Sequence, residues 1–135
     1  MTYLLDTNIC IYIIKQKPPQ VIGRLQKIDV NEIGISVITL AELEYGVAKS
    51  SFPERNKLAL VRFLAPFEIL SFSETAAAVY GRIRSDLEKN GQIIGPHDLL
   101  IGAQAFSEKI ILITNNEREF LRIPGLAVEN WVTIY

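Results

Sequence analysis

Carboxylates stand at several places in this chain where a strand would end or a helix begin. Asp6 closes the apolar run Tyr3-Leu4-Leu5 and is followed by Thr7 and Asn8. Glu42 and Glu44 lie in a helical stretch just after the apolar segment Ile33 to Ser36. Asp98 follows Pro96 in the first turn of a late helix, where the helix dipole favours the ionised form. The segment Thr114 to Glu119 adds small polar and acidic groups after the run Ile110 to Ile113. Carboxylates gathered at one place repel one another and raise each other's pKa unless a cation sits among them. Oxygen ligands suit Mg²⁺ or Mn²⁺, and such an ion can generate a hydroxide nucleophile or clamp both oxygens of a phosphodiester displacement. Each group alone has an ordinary structural role to set against this. Asp6 is also a common turn or cap residue, Asp98 a dipole partner, and a helical glutamate a surface ion-pair partner.

The elements that must position these groups follow from the apolar pattern. The opening run reads as a short buried strand, with Thr7 and Asn8 suited to capping the apolar helix to Lys15. Pro18-Pro19 starts a second helix with Val21, Ile22, Leu25 and Ile28 at helical spacing. A second strand at Ile33 to Ser36 leads into a helix opened by Ser36 or Thr39 and running to about Ser50. On its wheel Leu40, Leu43 and Val47 share a face with Glu44, while Glu42 falls with Ile38, Tyr45 and Lys49, so periodicity does not choose between the glutamates. Pro53 to Phe67 is a further helix with Leu58, Val61, Leu64 and Ala65 as its apolar set, and Glu68 to Phe72 a third strand. Ser73 caps the longest helix, with Ala77, Tyr80, Ile83 and Leu87 at core spacing, and Asn90-Gly91 ends it. On the helix after Pro96, Asp98, Gly102 and Ala105 share a face whose small residues allow close approach to a neighbour. Ile110 to Ile113 is the purest strand, and Leu126 to Glu129 with Trp131 reads as an edge strand. Strands alternating with helices give an α/β fold, a mostly parallel sheet of about four or five strands with helices on both faces, in one domain over 1–135. In such a sheet ligands bind beyond the carboxyl ends of the strands, where these groups would meet.

Composition narrows the chemistry. The chain has 135 residues, 49% hydrophobic and 21% charged, with a formal net charge of −1. That charge makes no general case for nucleic-acid binding, so any such substrate would be held by a local patch. Cys10 is the only cysteine and His97 the only histidine. One chain therefore cannot build a thiolate zinc cluster, an internal disulfide or a two-histidine acid–base pair. His97 adjoins Asp98, but neighbours on a helix diverge by about 100°, which argues against its serving as a base beside that carboxylate. With no membrane-length apolar run and no basic-then-apolar leader, a cytoplasmic protein is expected.

Leu4-Leu5-Asp6-Thr7-Asn8, the Ile38 to Gly46 run I-T-L-A-E-L-E-Y-G, Gly95-Pro96-His97-Asp98, and Ile113 to Phe120 (I-T-N-N-E-R-E-F) together resemble the PIN-domain family. Within it the chain is most similar to the VapC toxins of type II toxin–antitoxin pairs, over essentially its whole length. The resemblance implies a PIN-like fold and an Mg²⁺- or Mn²⁺-dependent endoribonuclease acting on structured RNA, often a tRNA. It also implies a homodimer, neutralised by a VapB-like antitoxin through which promoter DNA is bound. Position by position it implies Asp6 and Asp98 as metal ligands and Glu42, rather than Glu44, as the acidic residue of the helix motif. It further implies Glu119 as the last acidic group, with Asn8, Thr114 and Asn116 as supporting polar residues. Many relatives carry aspartate in that last motif where this chain has Asn115 and Asn116. The apolar helices from Ala41 to Phe67 are the expected partner groove.

Other classes fit less well. A receiver-type magnesium-binding signalling module needs a phosphoryl-accepting aspartate at the end of a middle strand, where this chain has Ser71-Phe72. An aspartyl phosphatase pairs two aspartates two residues apart, where this chain has Asp6 and Asn8. A PIN fold reduced to an inactive binding module would be expected to have lost part of the acidic set.

Overall fold

The computed structural model describes residues 1–133 of the chain. Five strands, β1 (Tyr3–Leu5), β2 (Ile33–Ser36), β3 (Glu68–Leu70), β4 (Ile111–Ile113) and β5 (Val128–Glu129), form one sheet in the order β3-β2-β1-β4-β5. Every pairing is parallel, with Leu5 level with Ile35 on one side and with Ile113 on the other. The helices are α1 (Thr7–Lys15), α2 (Pro19–Gln26), α3 (Val37–Ala48), α4 (Pro53–Leu64), α5 (Glu74–Lys89), α6 (Pro96–Glu108) and α7 (Glu117–Phe120). From β1 the chain winds outward through β2 and β3, then returns to the other flank of β1 for β4 and β5. The reversal puts a topological switch point beside β1, which opens a crevice at the carboxyl ends of β1, β2 and β4.

The side-chain period of two sends successive residues of a strand to opposite faces. Leu4 and Leu112 join a core with Ile83, Ile101 and Phe120, beneath α5, α6 and α7. Their neighbours Leu5 and Ile113 join a second core with Ile9, Leu43, Leu60 and Trp131, beneath α1 to α4. The sheet is thus covered on both faces, which is why its strands read as continuous apolar runs.

Two helices differ from expectation in phase. The buried stripe of α5 is Ala76, Val79, Ile83 and Leu87, so Ala77 faces solvent and Tyr80 is only half-buried. The two stripes share Ile83 and Leu87, and a small alanine at either position barely distinguishes them. On α4 the inward residue is Leu60, with Phe63 and Leu64 packed beside it, while Leu58 and Val61 remain 50% and 51% exposed. Burying the Phe63 side removes more apolar area from water than burying the Leu58–Val61 side would. The third strand stops at Leu70, two residues earlier than the apolar run, and a short 3-10 turn at Val30–Glu32 precedes β2.

Candidate active site at the switch point

Asp6 leaves β1 at the centre of the crevice and is 3% exposed. Its backbone N–H donates to the Ile113 carbonyl at 3.0 Å, extending the β1–β4 ladder by one residue. Its side chain, rather than that of Thr7 or Asn8, caps α1 by accepting from the Ile9 N–H at 2.8 Å. The cap and site roles therefore coincide in one carboxylate. Burial raises the Asp6 pKa from 3.8 to about 6. The Thr114 hydroxyl and Ile9 N–H work against that rise, and the charges of Asp98 and Glu42 add to it.

The two glutamates of α3 part company. Ser36 caps this helix by accepting from the Ile38 N–H at 3.0 Å. One turn further on, Glu42 Oε1 accepts from the Thr7 hydroxyl at 2.7 Å, and Glu42 Oε2 lies 3.2 Å from His97 Nδ1. Glu44 points toward α4, where it pairs with Lys57. Asn8 is exposed on the same rim as Thr7 and Glu42.

Asp98, in the first turn of α6, is half-buried, and its pKa is raised chiefly by burial and then by the charges of Glu119 and Glu42. Asn116 Nδ2 lies 3.4 Å from Asp98 Oδ2 and donates to Glu119 Oε2 at 3.0 Å. Glu119 Oε1 accepts from the Gly95 N–H at 2.6 Å, and Gly95 is the residue that opens α6. Those hydrogen bonds hold the Glu119 carboxyl below its usual range. Arg122 Nη1, just beyond α7, donates to the Ile93 carbonyl at 2.7 Å, so α7 and the turn after it hold the α5–α6 connection at two points. Thr114 Oγ1 accepts from the Asn116 N–H at 2.9 Å while its hydroxyl serves Asp6. Asn115 and Glu117 are tied instead to Asn130, at 3.1 and 2.8 Å.

The structure thus brings Asp6, Glu42, Asp98 and Glu119 to one rim, linked by Thr7, Thr114 and Asn116. A further positioning group escaped the sequence reading. Gln104, fully buried on α6, accepts from the Ser36 hydroxyl and donates to the Leu70 and Ser71 carbonyls at 3.3 and 3.1 Å. It locks the helix carrying Asp98 to the start of the helix carrying Glu42. The available signal was an amide among the small apolar residues Ala103 and Ala105 of a buried helix.

Among the described residues no three His, Cys, Asp or Glu side chains close on a single point. Asp6 and Asp98 are both oxygen donors whose pKa values are raised by burial and by the neighbouring carboxylates, a conflict that a cation between them would relieve.

Two depressions flank α3. One, of about 400 Å³ between α1, α3 and α4, is lined mostly by aliphatic groups including Ile11, Ile14, Leu43, Val47 and Leu60. The other, of about 740 Å³, lies toward α6; Ile11, Ile38, Ala41 and Leu100 give it apolar surface, and Thr7, Asn8, Glu42, Tyr45, Lys49 and His97 supply its polar and aromatic groups. Glu42 borders both.

The chain is similar in sequence and fold to known proteins. Residues 3–126 match the PIN domain family model. The chain is 48% identical over 132 residues to Ribonuclease VapC2 of Rickettsia felis, covering 97% of this chain and 98% of that protein. It is 41% identical over 131 residues to the tRNA(fMet)-specific endonuclease VapC of Salmonella typhimurium, covering 97% and 98%. Among solved structures, VapBC2 of Rickettsia felis bound to a fragment of its promoter DNA superposes with a TM-score of 0.91 at 47% identity. That match covers 97% of this chain and 99% of the other.

Proposed function

The chain belongs to the PIN-domain family, among its VapC-type ribonucleases, and on that footing we propose that it is a metal-dependent endoribonuclease acting on RNA, with tRNA as the substrate class. One domain over 1–135 carries the activity. The observation that carries the reading is Asp6: a nearly fully buried carboxylate with its pKa raised to about 6, at a switch point and within the field of two further carboxylates. Perturbed acids in such a crevice are what catalytic sites need and folding alone does not.

Asp6 and Asp98 are the groups that would hold Mg²⁺ or Mn²⁺. When bound, such an ion supplies an activated water and neutralises charge at the scissile phosphodiester. The Ile9 N–H and Thr114 hydroxyl fix the Asp6 carboxylate from behind, leaving its remaining lone pairs for a ligand. Glu42, steadied by Thr7, is placed to orient the attacking water and accept its proton. Glu119 holds Gly95 and Asn116, and through them keeps Asp98 facing the crevice. Asn8 and Asn116 offer amides to substrate oxygens at the rim.

A VapB-like antitoxin is the protein partner, supported by the VapBC likeness. The aliphatic groove between α1, α3 and α4, which joins Ile11 and Ile14 to part of the Ala41 to Phe67 stretch, suits an amphipathic segment of it. The toxin acts as a homodimer, and promoter DNA is met through the antitoxin. No helix among the described residues is long and apolar enough to cross a membrane, and the cytoplasm is where RNA and antitoxin are found together. A receiver-type module is disfavoured because β3 ends at Leu70 with no carboxylate at its carboxyl end. An inactive binding module is disfavoured because the rim keeps four carboxylates, Asp6, Glu42, Asp98 and Glu119.

The test is to incubate the purified chain with tRNA in Mg²⁺, in Mn²⁺ and in EDTA, beside an Asp6→Asn variant. Discrete fragments that require metal and Asp6 support the reading. Equal cutting by both proteins, or cutting in EDTA, would defeat it.

A further inference from the structure

The trough on the α6 side of α3 has an aliphatic floor that includes Ile11, Ile38 and Leu100, and adds to it an aromatic ring and a cation that the groove's lining on the α4 side does not combine. Glu42, Tyr45 and Lys49 follow one another at spacings of three and four, so they form a single stripe on α3 leading away from the acidic rim. Tyr45 is 65% exposed, and the Lys49 ammonium lies 4.9 Å from its ring centroid. Across the trough stand the exposed His97 of α6 and the Thr7 and Asn8 side chains of α1. The lining of the neighbouring groove is aliphatic as well but includes no aromatic ring.

Resting on the nuclease reading above, we propose that this trough is a nucleotide subsite, in which an unpaired base next to the scissile bond stacks on Tyr45 while Lys49 meets its phosphate. The order along α3 is what a splayed RNA strand requires: a carboxylate at the reacting phosphate, an aromatic face one turn away, then a cation for the next backbone phosphate. Base–aromatic stacking tolerates any base and depends on the strand being unpaired. The trough's volume of about 740 Å³ accommodates a nucleotide with its solvent. The chain as a whole has a net charge of −1, so RNA must be gripped through such local contacts rather than a general field. The trough adjoins the acidic rim through Thr7 and Glu42 and ends on the Lys49 cation, which favours a nucleotide continuous with the reacting strand over a protein segment.

The stacking requirement predicts a preference for loops over duplex, which makes the subsite testable apart from cleavage. Binding would be measured by fluorescence anisotropy with the full-length Asp6→Asn protein as non-cleaving parent. The probes are a labelled RNA hairpin with a single-stranded loop and a blunt duplex of the same composition. Tyr45→Ala is expected to weaken hairpin binding about 5- to 100-fold, and Tyr45→Phe, which keeps the ring, to restore it to within about twofold. Lys49→Ala should lower the slope of log affinity against log salt by about one. Because Tyr45 is exposed, the alanine variant is expected to melt with its parent, which circular dichroism checks.

Parent-like hairpin affinity in Tyr45→Ala overturns the subsite and leaves the nuclease reading intact. So does a hairpin no better bound than the duplex. A variant that sediments as a smaller species, or that loses antitoxin but not RNA, assigns the face to a protein contact and likewise overturns it. A parent that binds no RNA, with a wild type that cleaves none, removes the nuclease reading and the subsite together.

Discussion

Replacing Asp6 by Asn should make the metal-free protein more stable while abolishing its activity. Asp6 is 3% exposed, and its pKa rises from 3.8 to about 6 on folding, chiefly by burial. A carboxyl whose folded pKa is raised binds its proton more tightly in the native state than in the unfolded one. Its stabilising contribution is therefore full below 3.8 and is lost as pH rises to about 6. At about 1.4 kcal/mol per pH unit, the gap between those values amounts to about 3 kcal/mol of destabilisation at neutral pH. Asparagine carries no charge to desolvate, and its Oδ1 can still accept from the Ile9 N–H. Weaker hydrogen bonds to Ile9 and Thr114 would return about 1 kcal/mol, leaving a net gain of about 2 kcal/mol. For a domain of this size that is a rise in Tm of about 8 °C. The assay is thermal unfolding in EDTA, followed by circular dichroism from about pH 4 to about pH 8, where the variant's advantage should grow through the interval between the two pKa values. Added Mn²⁺ should then stabilise the wild type and leave the variant unmoved. A variant less stable than wild type at neutral pH, or an advantage independent of pH, would refute the reasoning.

Three other outcomes follow from the same geometry. Glu42→Gln should lower RNA cleavage by about 10²- to 10⁴-fold with the fold intact, whereas Glu44→Gln, which loses only an exposed pair with Lys57, should cleave within about twofold of wild type; rates and melting curves measured side by side decide this. Glu119→Ala frees the Gly95 N–H and Asn116, and should weaken Mn²⁺ binding by calorimetry about 10-fold and speed amide exchange at the start of α6, while Glu117→Ala does neither. Gly102→Val should cost about 1–3 kcal/mol in urea unfolding, because even a Cβ there would stand 2.7 Å from the Ile123 Cδ1, and Ile123→Ala in the same chain should recover part of it.

The order of strands and helices was legible because each strand is a short apolar run and each helix has its own start signal, such as Ser36, Pro53, Ser73 and Pro96. What periodicity left open was phase. Ala76 and Ala77 lie on stripes that share Ile83 and Leu87, and only packing against α6 and the sheet chooses between them. Glu42 and Glu44 sat on different faces of one wheel, but the wheel does not say which face meets the crevice. The choice is made by α1 and α6, which bring Thr7 and His97 to Glu42, and by α4, which brings Lys57 to Glu44. The expected divergence of His97 from Asp98 appears as a contact with Glu42 instead. Gln104 and the Glu119–Gly95 bond join residues 68 and 24 positions apart, and no local pattern announces such partners.

In the proposed mechanism the acidic rim works by holding a divalent cation at Asp6 and Asp98. The most direct measurement follows tRNA cleavage and Mn²⁺ occupancy, the latter by electron paramagnetic resonance, over one titration of the wild type and the Asp98→Asn variant. Cleavage rising in step with bound Mn²⁺, and both lost in the variant, is the predicted result. Cleavage without bound metal, or a variant that neither binds Mn²⁺ nor loses activity, would contradict it.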